Sequence, residues 1–201
     1  MKNKALSVFF FLLLAFFFWD CKNTTPQEKE ELAIKAEQEA IYLSKGKQIA
    51  ASTFIALSQQ LQKAVKEGGI PNAIQYCNLA AYPITDSLSQ VHQAVTRRTS
   101  LRNRNPKNKA TEIERIVLED FEKRAAEGQS LKPVVKFLDE QKVAFYAPIK
   151  LNDFCLNCHG KLGETLTDEN YTFIKKYYPE DKAIGYLSGD LRGMWSIQLT
   201  K

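Results

Sequence analysis

The sequence predicts an α+β domain, with helices in its first half and a small antiparallel sheet in its second half. The first half carries apolar residues at three- and four-residue spacing, which is typical of helices that bury one face. The second half carries two β-like runs joined by three polar residues, and a further β-like run close to the end. The 201 residues suit one domain with appendages, and a composition of 44% hydrophobic and 25% charged residues argues against disorder.

The first 20 residues have the pattern of a signal peptide or an N-terminal anchor. Lys2 and Lys4 precede an apolar run, residues 5–19, that is shorter than the about 20 residues a membrane-spanning helix needs. Cys21 follows where a bacterial lipoprotein carries its lipidated cysteine, although Asp20 stands where a small residue is usual. Lipidation of Cys21, an uncleaved anchor and plain secretion stay open. All three place the folded part outside the cytoplasm, in the periplasm or at an outer surface.

Residues 21–43 are predicted to form a polar tether and the charged start of a long N-terminal helix, with the folded domain over residues 44–201. This helix is expected to bury one apolar stripe. The members of the stripe recur at three- and four-residue spacing: Ala50, Phe54, Leu57, Leu61, Ala64 and Val65. Gly68 and Gly69 are suited to end the helix.

A second helix is predicted to begin at Pro71, because proline is tolerated in the first helical turn. Its buried face is expected to consist of small and apolar residues at helical spacing: Ala73, Ile74, Cys77, Ala80 and Ala81. Pro83 is expected to kink or end this helix. A short strand is then expected within residues 91–100, followed by a polar loop over residues 101–110.

Thr111 is predicted to cap a third helix, with Glu114 as its capping-box partner three residues later. The expected buried stripe of that helix consists of Ile113, Ile116, Val117 and Phe121. Residues 133–138 and 143–149 are predicted to pair as a hairpin. Three further elements follow: a loop or short turn over residues 152–163, a helix over residues 170–178 that Pro179 ends, and a closing strand over residues 194–199.

Residues 155–159 read Cys-Leu-Asn-Cys-His, which is the C-x-x-C-H spacing of c-type haem attachment. The chain has four cysteines and two histidines, so half of each fall in these five residues. Two thiols three positions apart can each add to one vinyl group of a haem, and the adjacent imidazole can then reach the iron. The sequence therefore predicts one covalent haem c, bound through Cys155 and Cys158, with His159 as an axial ligand.

Three other interpretations of this pattern are weaker. A redox dithiol is expected after a strand in a βαβ context, which this sequence lacks. A structural zinc site needs four ligands, and only Cys77 and His92 are obvious beyond these three. A surface disulfide between the two cysteines leaves His159 unexplained.

The second axial ligand is left open by the residues alone. Cys77, His92 and Met194 are candidates, as is an open position filled by water or an added ligand. The choice matters because a thiolate stabilises ferric iron and lowers the reduction potential, whereas a methionine raises it.

A basic stretch precedes the third helix and contains no acidic residue: Arg97, Arg98, Arg102, Arg104, Lys107 and Lys109. It is either a solvated loop or the source of a guanidinium, from Arg98 or Arg104, that pairs with a haem propionate. Nucleic acid is not an expected partner, because the stretch lacks interleaved aromatic residues. Tyr146, Tyr186 and Trp195 are expected in the core or in the wall of a haem pocket.

Four segments in order resemble a bacterial haem-binding family that includes a cyanobacterial monohaem c-type cytochrome and periplasmic sensor domains. The segments are AIQYCNLAAYPI, RRTSLRNRNPKNKATEIERIVLEDF, FYAPIKLNDFCLNCHG and YYPEDKAIGYLSGDLRGMWSI. The resemblance implies a PAS-like fold with an antiparallel sheet and helices around one haem. It also implies an axial pair made of His159 and Cys77.

These observations predict an exported monohaem c-type cytochrome that transfers electrons to an unknown partner protein or senses redox state. It is expected to be held at a membrane surface by its N-terminal lipid or anchor. It is not expected to be an enzyme. One alternative is a gas or redox sensor that reports to a separate protein, since no output domain is expected after Lys201. A haem peroxidase, with His92 as its acid or base, is the weaker alternative.

Overall fold

The computed structural model describes residues 25–201, except for the side chains of Ala80 and Tyr82. By the contacts among its residues, the chain divides into a unit that ends at Lys35 and a second unit from Ala36 to Lys201. The predicted signal peptide and Cys21 lie outside the described residues, so both stay predictions. Within residues 25–201, no helix combines the length and apolar character needed to cross a membrane.

The described chain contains four helices and four strands, and the predicted α+β class is confirmed. The elements are α1 (Pro26–Val91), β1 (Ala94–Thr99), α2 (Glu112–Ala126), β2 (Val134–Phe137), β3 (Lys142–Lys150), α3 (Leu156–His159), α4 (Asp168–Tyr177) and β4 (Leu191–Thr200). Short 3₁₀ turns cover Pro106–Asn108 and Asp153–Cys155. The expected strand within residues 91–100, the hairpin, the helix before Pro179 and the closing strand are all present.

Helix α1 is broken at the two glycines that were expected to end it. Gly68 and Gly69 have non-helical dihedral angles, with φ of −161° and 70°. A helical path resumes at once and continues past Pro83 to Val91, so of the two expected outcomes at Pro83, a kink or an end, the end is wrong. The helix also begins at Pro26, within the segment expected to form a tether.

The sheet is antiparallel, with the strand order β1-β4-β3-β2. Strand β4 lies in the middle, where Trp195 pairs with Arg98 of β1 on one side and with Ala147 of β3 on the other. Strands β2 and β3 form the expected hairpin. Strand β1 is thus the edge strand opposite β2, and the basic loop follows it.

One face of α1 packs against the sheet. Gly46 lies at a point of close approach on that face. A Cβ on Gly46 would collide with the Phe145 ring of β3, so the helix approaches the sheet closely at this point. Ile49 and Ala50 are buried there in a core with Trp195. This orientation leaves Phe54 53% exposed, so its predicted place in the buried stripe is wrong.

Helix α2 begins with the predicted capping box. The Thr111 hydroxyl accepts a hydrogen bond from the Glu114 N–H, and the Glu114 carboxylate accepts one from the Thr111 N–H at 2.8 Å. The Arg97 guanidinium also lies 3.8 Å from the Glu114 carboxylate, and the helix buries four residues on one face, at three- and four-residue spacing. They are Glu114, Val117, Leu118 and Phe121.

Two expected core residues of α2 are therefore exposed. Ile113 is 48% exposed and Ile116 is 52% exposed, so their predicted burial is wrong. The buried face of α2 is thus shifted from the predicted one, because Glu114 takes part in the cap and is buried. A pattern of apolar residues does not reveal a buried glutamate.

Two smaller clusters hold the segments that follow β3. In the first, Ile74 of α1 packs with Ile174 and Tyr178, and Cys158 lies against them. In the second, Leu156 packs with Ala183 and Tyr186, and Cys155 lies against them. Both clusters thus support the C-x-x-C-H segment.

Candidate functional site

The C-x-x-C-H segment is held in a tight helical turn. The Asn152 side chain accepts hydrogen bonds from the Cys155 N–H at 3.2 Å and from its thiol at 3.1 Å. The chain then passes from a 3₁₀ turn into α3, in which Leu156 points into the core. The two cysteines are three positions apart in this turn, and both are free thiols and partly buried. Residues at this spacing share one face of a helix.

Gly160 closes the turn where a larger residue would not fit. A Cβ at this position would collide with the Thr165 side chain and would lie 2.6 Å from the Leu156 carbonyl oxygen. The Gly160 N–H donates to that same carbonyl at 2.8 Å. The chain therefore turns sharply away directly after His159.

The ring of His159 is fixed by a backbone carbonyl. Its Nδ1 lies 2.7 Å from the Ala183 carbonyl oxygen. Because a carbonyl can only accept, Nδ1 must carry the proton, and Nε2 keeps its lone pair. The Tyr186 ring stands edge-on to the imidazole, with 6.4 Å between ring centroids.

The surroundings of His159 keep its ring neutral. The loss of water around the ring is the main cause that holds its pKa well below the ordinary value, and the cations of Arg104 and Arg192 lower it further. The hydrogen bond to Ala183 acts the other way but is outweighed. A neutral imidazole with a free Nε2 is the form that ligates metals.

Cys77 of α1 lies in the same region. Burial raises the pKa of its thiol, and the cations of Arg98 and Arg104 oppose that rise. Burial likewise raises the pKa of Cys158 to about 11, and the negative charge of a Cys77 thiolate adds to the rise. Cys77 therefore lies near enough for its charge to act on Cys158, and Ile74, one turn before it on α1, packs in the same cluster as Cys158.

The two other candidate ligands lie elsewhere. The His92 Nε2 is 3.0 Å from the Ser52 hydroxyl, beside the sheet-facing part of α1. Met194 is fully buried in the core with Val117 and Phe121 of α2.

Arg104 is engaged with protein groups, although it was a candidate for a propionate. Its side chain is 12% exposed and pairs with Asp181, which is 0% exposed. The guanidinium also donates to the carbonyl oxygens of Cys158 at 2.6 Å and Ala183 at 3.1 Å. Arg98 is the other candidate, and it lines a cavity of about 360 Å³ between the end of α1 and β1.

Arg192 is a residue of the site that sequence reasoning missed. Its Nη1 donates to the Ser100 hydroxyl at 2.8 Å and the Arg102 carbonyl at 3.0 Å, while its Nε is buried without a partner. Burial lowers its pKa to about 10, so it stays charged at neutral pH. It stands in the G-D-x-R-G tail of the fourth family-like segment, which is the signal that could have revealed it.

These residues fit a haem by their chemistry. Two thiols three positions apart, a neutral imidazole and a third thiol are groups that could hold a haem c and its iron. The charges of Arg98, Arg104 and Arg192 all act on His159, and the buried Arg192 Nε, which has no partner among the described residues, is compatible with an anionic group such as a propionate. Within residues 25–201, no three histidine, cysteine or acidic side chains meet as they would around a single metal ion.

Comparison with known proteins agrees with this fold. A family model described as Tll0287-like matches residues 27–200. The chain is also similar to the crystal structure of the cyanobacterial haem protein Tll0287, with 20% identity over 76% of this chain and 95% of that chain, and a TM-score of 0.50. No curated protein matches the chain. Because the family model spans most of its length, this protein belongs to the Tll0287-like family.

Proposed function

We propose that this protein is a monohaem c-type cytochrome that carries electrons or responds to redox state. The observation that carries the proposal is the hydrogen bond from His159 Nδ1 to the Ala183 carbonyl at 2.7 Å, inside a C-x-x-C-H turn. It leaves Nε2 of a neutral ring available to iron. When bound, the haem supplies an iron that takes up one electron and gives it back.

Cys155 and Cys158 would hold the group. Each thiol would add across one vinyl group, its sulfur to one carbon and its proton to the other, so no atom would be lost. Asn152 holds Cys155 in place through two hydrogen bonds, and the α3 turn holds Cys158 on the same side.

Cys77 is proposed as the second axial ligand. Its partial burial, the action of its charge on Cys158 and the nearby cations of Arg98 and Arg104 support this role. Those cations stabilise a thiolate against the cost of burial. The Ser52 contact of His92 and the core position of Met194 speak for structural roles of these two residues.

Electron transfer is favoured over catalysis. A peroxidase needs an acid or base beside an open position on the iron, and His92 was the candidate for that task. The His92 ring is instead engaged with Ser52 at 3.0 Å, which argues against a role beside the iron. The propionates are proposed to face Arg192, whose buried Nε has no partner among the described residues, with the charge of Arg98 nearby.

The protein is proposed to work outside the cytoplasm, where c-type haem is attached in bacteria, and to meet a partner redox protein there. An N-terminal lipid on Cys21 or an uncleaved anchor would hold it at a membrane surface. Mass spectrometry of the mature N-terminus tests this: a diacylglyceryl group on Cys21 supports lipidation, and a free Cys21 contradicts it.

The central test is spectroscopic and uses the full chain matured in a host that attaches haem c. We expect haem staining that survives denaturing electrophoresis, and a low-spin ferric spectrum with a thiolate signature. Cys77→Ala should abolish that signature, while the matched variants His92→Ala and Met194→Leu should retain it. A thiolate signature that persists in Cys77→Ala would overturn the assignment of Cys77.

The same preparation separates the carrier from a gas sensor. An electron carrier keeps both protein ligands on reduction, so carbon monoxide should leave the ferrous spectrum unchanged. Ready binding of carbon monoxide would contradict the carrier and support a sensor that exchanges its second ligand.

A further inference from the structure

Four acceptor oxygens surround the Arg104 guanidinium beside the histidine, and the two hydrogens of Nη2 are shared among three of them. Its Nε and Nη2 donate to the two carboxylate oxygens of Asp181, each at 3.1 Å. Nη2 also donates to the carbonyl oxygens of Cys158 and Ala183. A guanidinium in a bidentate pair with a fully buried carboxylate is held in one orientation. It therefore fixes the two carbonyls as well.

Ala183 is the point where this network meets the His159 ring. Its carbonyl oxygen accepts hydrogen bonds from Arg104 at 3.1 Å and from His159 Nδ1 at 2.7 Å. Its N–H donates to Asp181 Oδ1 at 2.9 Å. The acceptor of the ring proton is thus held by both members of the ion pair.

The segment around Ala183 is also bonded to the turn that carries the histidine. The N–H groups of Tyr186 and Gly185 donate to the carbonyl oxygens of His159 and Gly160, at 3.0 and 2.8 Å. With the Arg104 bond to Cys158, three successive carbonyls of the turn are satisfied from outside it. These groups would otherwise be orphaned at the end of a short helix.

The hydrogen bond from Arg104 to the Ala183 carbonyl changes how strongly that carbonyl accepts from the His159 ring. Arg104 withdraws electron density from the oxygen that accepts the Nδ1 proton, so the oxygen becomes a weaker acceptor. A weaker acceptor leaves less negative charge on the imidazole and makes Nε2 a weaker donor to a metal. Asp181 moderates this effect because it shares the charge of Arg104.

We propose that the buried Arg104–Asp181 pair is a positioning device for His159, which fixes the Ala183 carbonyl and limits how basic the ring becomes. It is not a propionate partner. The inference rests on the proposed function, since its effect is read at the iron that His159 would ligate.

The sign of the effect on the reduction potential follows from these contacts. A more basic imidazole stabilises ferric iron and lowers the potential. The double variant Arg104→Met/Asp181→Asn removes both charges together, so the net charge is unchanged, and it frees the Ala183 carbonyl from the competing donor. We expect its potential to fall. The single variant Asp181→Asn leaves Arg104 fully charged on the carbonyl, so its potential should rise.

The test is potentiometric titration of the haem-loaded full chain. At a fixed applied potential, we expect the ratio of reduced to oxidised protein to fall about tenfold in the double variant, which is about 59 mV for one electron. The matched control is Glu112→Gln/Arg115→Met, which removes an exposed ion pair on α2 with the same change of charge. Its potential should stay at the wild-type value.

Several outcomes would overturn the inference. An unchanged potential in the double variant, with the low-spin spectrum retained, would leave the pair a purely structural role. A rise in the double variant would contradict the inference, because the loss of Arg104 beside the Cys77 thiolate, or of the Asp181 charge, would then outweigh the effect on the ring. If the double variant does not fold, the near-isosteric Asp181→Asn still tests the idea, and an unchanged or lower potential there contradicts it. A wild-type chain that binds no haem would instead contradict the proposed function.

Discussion

Asp139 connects the two strands of the hairpin through its carboxylate. Oδ1 accepts hydrogen bonds from the Gln141 N–H at 2.8 Å and the Lys142 N–H at 2.7 Å. The Gln141 bond is the main cause that lowers the pKa of Asp139 below its ordinary value, and the Lys142 bond lowers it further. Because the folded pKa lies below the unfolded value of about 3.9, this contribution is present above about pH 4. It is lost as the pH falls through the folded pKa.

We therefore expect Asp139→Ala to lower the free energy of unfolding at neutral pH, by an amount that shrinks as the medium is acidified from about pH 5. Urea unfolding at a series of pH values measures the difference from wild type. Glu140→Ala is the control, since it removes the same charge from the same exposed turn. A difference that stays constant into strong acid would contradict the assigned role of the carboxylate.

At the same scale, the attachment cysteines and His159 could be proposed from sequence, whereas the acceptor of the His159 ring could not. Ala183 contributes only main-chain atoms to that contact, and every residue type presents the same carbonyl. Arg104 was noticed for its charge, but its buried partner lies 77 positions away at Asp181. Spacing along the chain identifies local motifs and does not identify pairings of this range.

Among the elements, α2 shows how a cap can decide which face of a helix is buried. The sequence predicts the Thr111–Glu114 box correctly but not that Glu114 joins the buried face. Ile113 and Ile116 fit an apolar stripe equally well by spacing alone. The ion pair of Glu114 with Arg97 across the turn decides between the two faces, and it becomes visible only in three dimensions.

The contribution of the Thr111 cap to the free energy of unfolding can be measured. Thr111→Ala removes the hydroxyl that accepts the Glu114 N–H, so we expect a loss of about 1 kcal/mol in the free energy of unfolding. Thr111→Ser keeps the hydroxyl and should stay within about 0.5 kcal/mol of wild type. Chemical denaturation of the three proteins tests this. Equal losses in the two variants would show that the threonine methyl group, and not the cap, stabilises the helix.

For the molecule as a whole, the sheet core and the candidate site draw on different residues. The sheet packs against α1 and α2 through clusters that contain none of the site cysteines. The thiols, the imidazole and its carbonyl partner come from three segments that are distant in sequence: the part of α1 around Cys77, the C-x-x-C-H turn and the loop around Ala183. Arg98 and Arg192 reach the site from β1 and β4. A bound group that contacts all three segments would stabilise their packing against one another, because it binds only when they are assembled.

Removal of the haem should therefore loosen one part of the molecule more than the other. In Cys155→Ser/Cys158→Ser we expect faster amide hydrogen exchange over residues 70–91 and 151–186, and little change in α2 and in strands β3 and β4. Hydrogen-exchange mass spectrometry against the haem-loaded protein measures this. A uniform increase over the whole domain would show that the sheet core also depends on the haem.

The break in α1 has a consequence for the second ligand. Gly69 has a φ of 70°, which glycine adopts without strain, and the helical segment with Cys77 begins directly after it. The preceding segment is fixed to the sheet by the contact of Gly46 with Phe145. The direction of the Cys77 segment thus depends on the backbone angles at Gly68 and Gly69. A substitution at Gly69 would move the Cys77 thiol relative to the proposed iron without touching either, so the proposed metal bond could be altered from a position outside the pocket.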